Sequence, residues 1–305
     1  MRIAILHHDL EESEEKMAVS FRNKGFLVKL LDVRTSKMED FENVDLVLNR
    51  VYASVANRDY PSIPKTLELL KELEKNEIRC INSYKTSLYD YSKYEVFKLT
   101  KKLGMPTPET IFIKNKDKID EISDKSIKEF GFPMIVKRNT GGRGKDISRV
   151  DNKEDLIKDL KEKLYSVDKD NYEGGFIIQE FIVPTKDHDC RMGVANGKFI
   201  FSYGRKLVSS NSEDKWLASQ ANGSKECLYE ATADEKILGE NSTNAIGAEF
   251  NEIDMAFGEN QEMVIIENNP TPNFMFPEDD DLLENFVNSI IRIVNPGKEL
   301  AIIKR

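Results

Sequence analysis

The sequence predicts an α/β (α+β) fold, with a doubly wound N-terminal lobe followed by mixed α+β structure. Short apolar runs alternate with amphipathic stretches over residues 1–85, which is typical of a small, mostly parallel sheet with helical crossovers. Later apolar runs lie on either side of a glycine-rich basic loop at residues 137–147 and of a tight Asn196-Gly197 turn. These two features favour strand hairpins in the second part of the chain.

The composition is that of an acidic, soluble globular protein. The chain has 305 residues, of which 32% are charged and 39% hydrophobic, with a net charge of -9 and a pI near 5.2. Duplex nucleic acid is therefore not expected as a partner, because neutralising its phosphates requires a basic face. Cys80, Cys190 and Cys227 are scattered without a ligand pattern, so neither a disulfide framework nor a zinc site is expected.

The sequence shows no pattern of a signal peptide or of a membrane-spanning segment. The opening apolar run Ile3–Leu6 is too short for a signal peptide, and no segment is long enough to cross a bilayer. We therefore expect a cytoplasmic protein without a membrane partner.

The first lobe predicts a crevice at the carboxyl ends of its strands. We expect strands at Arg2–Leu6, Phe26–Leu31, Asp45–Asn49 and Ile78–Ile81, and helices at Glu11–Asn23 and Thr66–Lys75. Ligands of parallel sheets gather beyond the strand ends, near His7, His8, Asp9, Asn49 and Arg50. We favour the interpretation that the two histidines are simply polar residues at the end of a strand. Arg50 is a stronger candidate because a guanidinium can clamp a substrate carboxylate, although a structural ion pair is nearly as well supported.

The next segment leads into a loop with the chemistry of a phosphate cradle. The predicted elements are helix Tyr91–Leu103, strand Thr110–Ile113, helix Lys118–Phe130, strand Pro133–Lys137 and helix Lys153–Leu164. The loop Lys137–Ile147 reads K-R-N-T-G-G-R-G-K-D-I, so its glycines let backbone N–H groups approach an anion while basic side chains supply charge. It fits neither the Walker nor the Rossmann spacing. We expect a flap over phosphates; the alternative is an exposed hairpin loop.

The last segment is rich in predicted strands, and the two strands of its last hairpin carry polar side chains. We expect strands at Gly175–Ile182, Arg191–Ala195 and Lys198–Phe201, helices at Asp234–Ile246 and Leu282–Val294, and a polar loop at Ser209–Ser224. A further hairpin joins Ala248–Phe257 to Glu262–Pro272 through a turn at Gly258–Gln261. Glu267 and Asn269 share one strand face, and pairing brings Asp254 near residues 265–267. Such an oxygen cluster suits Mg²⁺, although a solvated polar strand end explains this stretch alone equally well.

Taken in order, these motifs resemble the ATP-grasp superfamily, and within it the RimK-type glutamate ligases and the lysine-biosynthesis carrier-protein ligases. The resemblance runs from I-N-S at Ile81–Ser83 to E-N-N-P at Glu267–Pro270, and Lys93 begins a helix that ends in the family's G-x-P-x-P. It implies an ATP-grasp fold with an N-terminal Rossmann-like pre-ATP-grasp lobe at 1–85, a central lobe with the flap at 86–175, and a C-terminal lobe with the metal site at 176–305.

The resemblance also implies roles for individual residues. The residues expected to bind the phosphates are Lys93, Lys137, Gly141, Gly142, Arg143 and Gly144, and those expected to bind adenine are Gln179, Glu180, Phe181 and Ile182. Asp189 is expected to bind the ribose, and Arg191 and Arg205 to lie at the reacting phosphate. The expected metal ligands are Asp254, Glu267 and Asn269. This match favours the metal interpretation of the last hairpin.

The chain departs from the family pattern at several positions. Ser92 stands where the family has Asp, Arg138 where it often has Pro, and Asp146 where it often has Gly. The substrate loop reads W-L-A-S-Q-A-N-G-S instead of W-I-T-N-T-A-R-G-G, so Ser219 and Asn222 replace Asn and Arg. A different substrate set is the natural inference, with Arg50, Ser219 and Asn222 among the deciding residues.

The activity implied is that of a carboxylate–amine ligase using ATP and Mg²⁺, with two ions expected and Mn²⁺ as a possible substitute. The implied partners are small carboxylates and amines, a carrier protein or peptide, and further copies of the chain in a dimer or tetramer. Two alternatives stay open at this point. One is an ATP-binding interaction module without turnover, similar to synapsins, and the other is a kinase that stops at phosphorylation.

Overall fold

A computed structural model describes residues 1–209, 215–259, 262–272 and 280–294. Their strands are β1 (Arg2–His7), β2 (Leu27–Asp32), β3 (Leu46–Asn49), β4 (Arg79–Ile81), β5 (Thr110–Ile113), β6 (Met134–Arg138), β7 (Ser148–Val150), β8 (Phe176–Glu180), β9 (His188–Ala195), β10 (Lys198–Lys206), β11 (Glu226–Cys227), β12 (Phe250–Phe257) and β13 (Met263–Asn269). Their helices are α1 (Glu12–Asn23), α2 (Ser62–Lys75), α3 (Tyr84–Asp90), α4 (Lys93–Lys102), α5 (Ile119–Phe130), α6 (Lys153–Asp170), α7 (Ala233–Ile246) and α8 (Asp280–Val294). None of the helices in these ranges is both long and apolar enough to cross a membrane.

The chain divides into two compact units. The first comprises Met1–Tyr52, Lys65–Tyr84 and the described residues from Thr271 onward. Its sheet is parallel with the order β2-β1-β3-β4, as the alternation of strands and helices predicts. The last helix, α8, belongs to this unit and is tied to it by an ion pair of 2.7 Å from Lys24 Nζ to Glu284 Oε2. The division into three lobes at residues 85 and 175 stays a prediction.

The second unit, Ala53–Pro64 and Lys85–Pro270, contains two antiparallel sheets. Their strand orders are β5-β8-β6-β7 and β11-β10-β9-β12-β13. The predicted turn between β9 and β10 is confirmed: Asn196 and Gly197 have φ values of 50° and 70°, the left-handed pair that a two-residue type I′ turn requires. The hairpin of β12 and β13 is confirmed as well, although residues 260–261 of its turn lie outside the described residues.

Alternation along β12 separates the core from the candidate site. Ile253, Met255 and Phe257 are buried in an apolar cluster beside α7, while Glu252 and Asp254 point to the opposite face. Helix α7 begins with a reciprocal capping pair between Thr232 and Glu235, which satisfies two backbone donors at its first turn. One face of the five-stranded sheet is therefore closed by a helix, and the other is available for chemistry.

Two local features differ from the sequence prediction. A separate helix, α3, precedes α4, where no helix was expected. Helix α6 runs six residues beyond the predicted end at Leu164, to Asp170. Residues 210–214 of the predicted polar loop Ser209–Ser224 lie outside the described residues.

Candidate active site

Strand register brings three charged residues to one level of the five-stranded sheet. Asp254 on β12 lies opposite Arg191 on β9 and opposite Glu267 on β13. Residues directly opposite one another in antiparallel strands point to the same face. The sequence predicted that Asp254 lies within a residue or two of Glu267, and the structure confirms that neighbourhood.

The predicted metal ligands converge on this face. Asn269 Nδ2 lies 3.4 Å from Asp254 Oδ1 and donates to Glu252 O at 3.1 Å. Within the described ranges no three His, Cys, Asp or Glu side chains gather closely enough to hold a metal ion, so the cluster supplies two carboxylates and one amide. The chemistry of this donor set, all hard oxygens, fits Mg²⁺.

The two carboxyl groups have different proton affinities. Burial raises the pKa of Asp254 to about 7, Arg191 opposes the rise and the charge of Glu267 adds to it. Burial acts in the same direction on Glu267, but Lys93 and Lys137 outweigh it, so the pKa of Glu267 is lowered. A divalent cation between the two groups would remove their mutual repulsion, which is a second reason to regard the pair as a metal site.

The two arginines assigned to the reacting phosphate are held by Asp189. Arg191 Nε donates to Asp189 Oδ2 at 3.1 Å, and another guanidinium nitrogen of Arg191 contacts Asp254. The backbone N–H of Arg205 donates to Asp189 Oδ1 at 3.0 Å. Burial raises the pKa of Asp189 although both arginines oppose it. Asp189 therefore orients the Arg191 guanidinium and fixes the backbone at Arg205, and its contact with ribose stays a prediction.

Sequence reasoning missed the polar pair that supports Arg205. Arg205 Nη2 donates to Tyr203 Oη at 3.1 Å, and Tyr203 Oη donates to Glu252 Oε1 at 3.1 Å. The signal was present in the strand alternation, since Tyr203 lies two residues before Arg205 and Glu252 two residues before Asp254. Each therefore shares the face of a predicted site residue.

The two predicted phosphate lysines lie beside Glu267. Lys93 Nζ is 2.8 Å from Glu267 Oε1 and donates to Gly141 O in the flap at 2.8 Å. Lys137 is buried, and burial lowers its pKa to about 8 although Glu267 opposes the shift. Ser92, which replaces the family's Asp, still caps α4 by accepting the Glu95 N–H at 3.3 Å. The departure at Ser92 thus leaves the start of the helix, and with it Lys93, in place.

The flap adopts a backbone that favours glycine at several positions. Gly141, Arg143 and Gly144 have φ values of 147°, 59° and 69°. A Cβ built on Gly144 would lie 3.0 Å from Ser219 Oγ and 3.4 Å from Asn222 Nδ2. The flap therefore lies against the two substrate-loop residues that differ from the family pattern, which the sequence alone did not predict.

The segment predicted to bind adenine, residues 179–182, begins in β8 and continues just beyond its end. Gln179 is buried and donates from Nε2 to Thr110 Oγ1 at 3.0 Å, and the Glu180 N–H donates to Glu109 O at 2.8 Å. The Phe181 ring, just beyond the strand, has the Arg149 guanidinium 4.8 Å from its centroid. Recognition of adenine by the backbone of Glu180, Phe181 and Ile182 stays a prediction.

Arg50 lies in the first unit and is almost fully buried. Its Nε, Nη1 and Nη2 donate to Glu14 Oε1 at 3.1 Å, Pro272 O at 2.9 Å and Tyr52 Oη at 2.7 Å. The exposed fraction of its side chain is 1%, as expected of the structural ion pair that the sequence left open. Its substrate role stays a prediction, and it requires one of these donors to be released.

Known proteins resemble this chain in sequence and in fold. The sequence model of a family described as the RimK-like ATP-grasp domain matches residues 91–292. The chain is 25% identical over 278 residues to a tetrahydromethanopterin:alpha-L-glutamate ligase from Methanosarcina acetivorans, covering 84% of this chain and 82% of that protein. It is 22% identical over 231 residues to N-acetylaspartylglutamate synthase A from Homo sapiens, covering 76% of this chain but only 55% of the human protein. A RimK domain ATP-grasp protein from Sphaerobacter thermophilus shares the fold with a TM-score of 0.67 and 14% identity, covering 96% of this chain and 100% of that one.

Proposed function

We propose that this chain, which belongs to the RimK-like ATP-grasp family, joins a carboxylate to an amine through an acyl phosphate. The two curated relatives described above support this, because they are ligases that form carbon–nitrogen bonds. The observation that carries the proposal is the carboxylate pair Asp254 and Glu267, held between Arg191 on one side and Lys93 on the other. Cations and carboxylates at one level of a sheet provide a place for a metal–triphosphate, which is itself an array of alternating charge.

Asp254, Glu267 and Asn269 would hold the metal. When bound there, Mg²⁺ would supply positive charge that neutralises the ATP phosphates. Lys93, Lys137 and the flap N–H groups would hold the phosphate oxygens. Two metal ions, with Mn²⁺ able to replace Mg²⁺, are part of the proposal.

The reaction then has two steps. A substrate carboxylate oxygen attacks the γ-phosphorus and ADP leaves, giving an acyl phosphate; the amine next attacks the acyl carbon, loses a proton, and phosphate leaves. Arg191 and Arg205 stabilise the transferred phosphoryl group and then the oxyanion formed by amine attack. The chain needs no covalent nucleophile. The flap excludes water, which would otherwise hydrolyse the acyl phosphate.

We propose an amino acid, a peptide or a small natural-product acid as the substrate. The names of the two relatives support the amino-acid class, since one is a glutamate ligase and the other makes N-acetylaspartylglutamate. Ser219 and Asn222, in contact with the flap, are the residues through which a different acceptor would be selected. The amine could be free or borne by a peptide or carrier protein, and a dimer or tetramer is proposed from the family alone.

A hydroxylamine trap tests the proposal. Purified protein is incubated with Mg²⁺-ATP, hydroxylamine and pools of amino acids and small carboxylic acids, and ADP and hydroxamate are measured together. Equal amounts of both products are expected, because hydroxylamine replaces the unknown amine. AMP with pyrophosphate would contradict an acyl-phosphate mechanism, and ADP without hydroxamate would favour a kinase.

Two variants separate a ligase from a binding module. Glu267→Ala and Asn269→Ala should lower hydroxamate formation by about 100-fold or more, the effect of removing one group that stabilises developing charge. Glu121→Ala, which removes an exposed carboxylate on α5, is the control and should keep full activity. A binding module would show no product with any pool, while the same two variants lowered its affinity for Mg²⁺-ATP.

A further inference from the structure

Two positions at which the flap departs from the family pattern contact each other. Arg138 Nε donates to Asp146 Oδ2 at 2.5 Å, where the family often has Pro and Gly. The exposed fraction of the side chain is 4% for Arg138 and 35% for Asp146. The contact joins the last residue of β6 to the far end of the flap, and so closes the segment 139–145 at its base.

The backbone at Asp146 explains how this exchange is tolerated. Its φ is 53°, in the left-handed region that glycine adopts readily and that Asp tolerates better than most residues. Asp146 therefore adopts a backbone that a glycine at this position could also adopt. Arg138, next to the phosphate lysine Lys137, is held on its other side by the Tyr172 ring, whose centroid is 4.2 Å from the guanidinium carbon.

The tip of the flap is docked on the short 3-10 helix Ala53–Asn57. Asn57 Nδ2 donates to Gly142 O at 2.8 Å, and Lys145 Nζ donates to Asn57 O at 2.8 Å. A Cβ built on Gly141 would lie 2.7 Å from Asn57 Oδ1, so a side chain there would displace Asn57, and the φ of 147° at Gly141 also favours glycine. The flap is thus tied at its base by one ion pair and at its tip by a reciprocal pair of hydrogen bonds.

We propose that Arg138 and Asp146 form a latch that, together with Asn57, positions the flap N–H groups for the nucleotide phosphates before the nucleotide binds. The phosphate contacts rest on the proposed function; the latch itself rests on the contacts just described. Ordering a loop in advance strengthens binding because less conformational entropy is lost on association. Arg138, Asp146 and Asn57 are positioning residues, since they act through the flap backbone.

The order of the flap can be measured without a substrate or a nucleotide. Asp146→Gly keeps a residue that adopts the left-handed backbone and removes the carboxylate. Trypsin should cut the ligand-free variant after Arg143 or Lys145 at least about fivefold faster than the wild type, because local opening exposes the flap. Asp151→Asn is the matched control: it alters another Arg–Asp pair, with Arg149 Nη2 2.9 Å from Asp151 Oδ1, and should be cut at the wild-type rate. Asp146→Asn, with the same shape and no charge, is the second variant should Asp146→Gly fold poorly.

Nucleotide affinity tests positioning directly. Calorimetry with Mg²⁺-AMPPNP should show binding weakened about fivefold or more in Asp146→Gly and in Asn57→Ala, while AMP, which lacks the β- and γ-phosphates, binds within about twofold of the wild type. Arg138→Gln combined with Asp146→Gly should be no weaker than Asp146→Gly alone, because partners in one contact are not additive.

Two results would overturn the latch. One is unchanged flap cleavage and unchanged AMPPNP affinity in Asp146→Gly. The other is equal weakening of AMP and AMPPNP, which indicates general damage to the site. If the hydroxylamine trap yields no product but the flap of Asp146→Gly is cut faster and its AMPPNP binding is weakened, the ligase proposal fails and the latch stands.

Discussion

Replacing Lys137 by Met should stabilise the ligand-free protein and impair nucleotide binding. Lys137 is 7% exposed, and burial lowers its pKa from the ordinary 10.5 to about 8. A shift of one pKa unit corresponds to about 1.4 kcal/mol, so burial of the charged lysine destabilises the folded protein by about 3 kcal/mol at pH 7. Met has a similar length and no charge, and Lys137→Met should raise the free energy of unfolding by up to that amount.

The gain should depend on pH with a defined sign. At pH 7 the lysine is protonated in both folded and unfolded states, and its burial opposes folding in full. Between pH 8 and 10.5 the folded protein has released the proton that the unfolded chain retains, so wild-type stability from this group rises with pH. The advantage of Lys137→Met should fall to about 1 kcal/mol at pH 9.5 and vanish above 10.5.

Urea denaturation in EDTA at pH 7 and 9.5 measures both quantities, with Lys128→Met on the exposed face of α5 as the control. The same variant should lose most of the thermal stabilisation that Mg²⁺-AMPPNP gives the wild type, because the phosphates lose a cation. A variant that is less stable than the wild type at pH 7, or whose advantage is equal at both pH values, would refute the reasoning from burial.

Two further predictions concern glycine geometry and a buried amide. Gly144→Ala should weaken Mg²⁺-AMPPNP binding measured by calorimetry, because the added Cβ would press on the substrate loop. Gly104→Ala is the control, since Gly104 has the same φ of 69° and open space around it. This control should lose only about 1 kcal/mol of stability from backbone strain and should keep its affinity. Asn268→Ala should lower the free energy of unfolding by about 2–3 kcal/mol in urea, because the Asn268 Oδ1 accepts buried hydrogen bonds of 2.8 Å from Ser242 and 2.7 Å from Asn251; a loss below about 0.5 kcal/mol would contradict this.

Much of the candidate site follows from strand alternation, and that part could be predicted. A period of two places Glu267 and Asn269 on one face, and hairpin pairing adds Asp254. The parallel sheet of the first unit follows likewise from alternating apolar and amphipathic segments. Local rules of this kind need only neighbouring residues, which a single sequence supplies.

Contacts between distant segments could not be predicted in this way. The burial of Arg50 depends on Glu14 and on Pro272, which is far along the chain. The pairing of Arg138 with Asp146 could not be predicted for a different reason: both residues depart from the family pattern, so the pattern contains no such pair. Neither periodicity nor turn chemistry indicates which side chains meet when a loop folds back on itself.

The charge order of the site indicates one cation, Lys137, whose charge is incompletely compensated. Arg191 contacts both Asp189 and Asp254, and Lys93 reaches Glu267, so each of these carboxylates has a cation in place. The pKa of Lys137 is lowered, because burial outweighs its attraction to Glu267. A buried cation with incomplete compensation is destabilising until an anion arrives. Lys137 therefore stays our predicted triphosphate ligand, and binding of the phosphates would offset the cost of burying its charge.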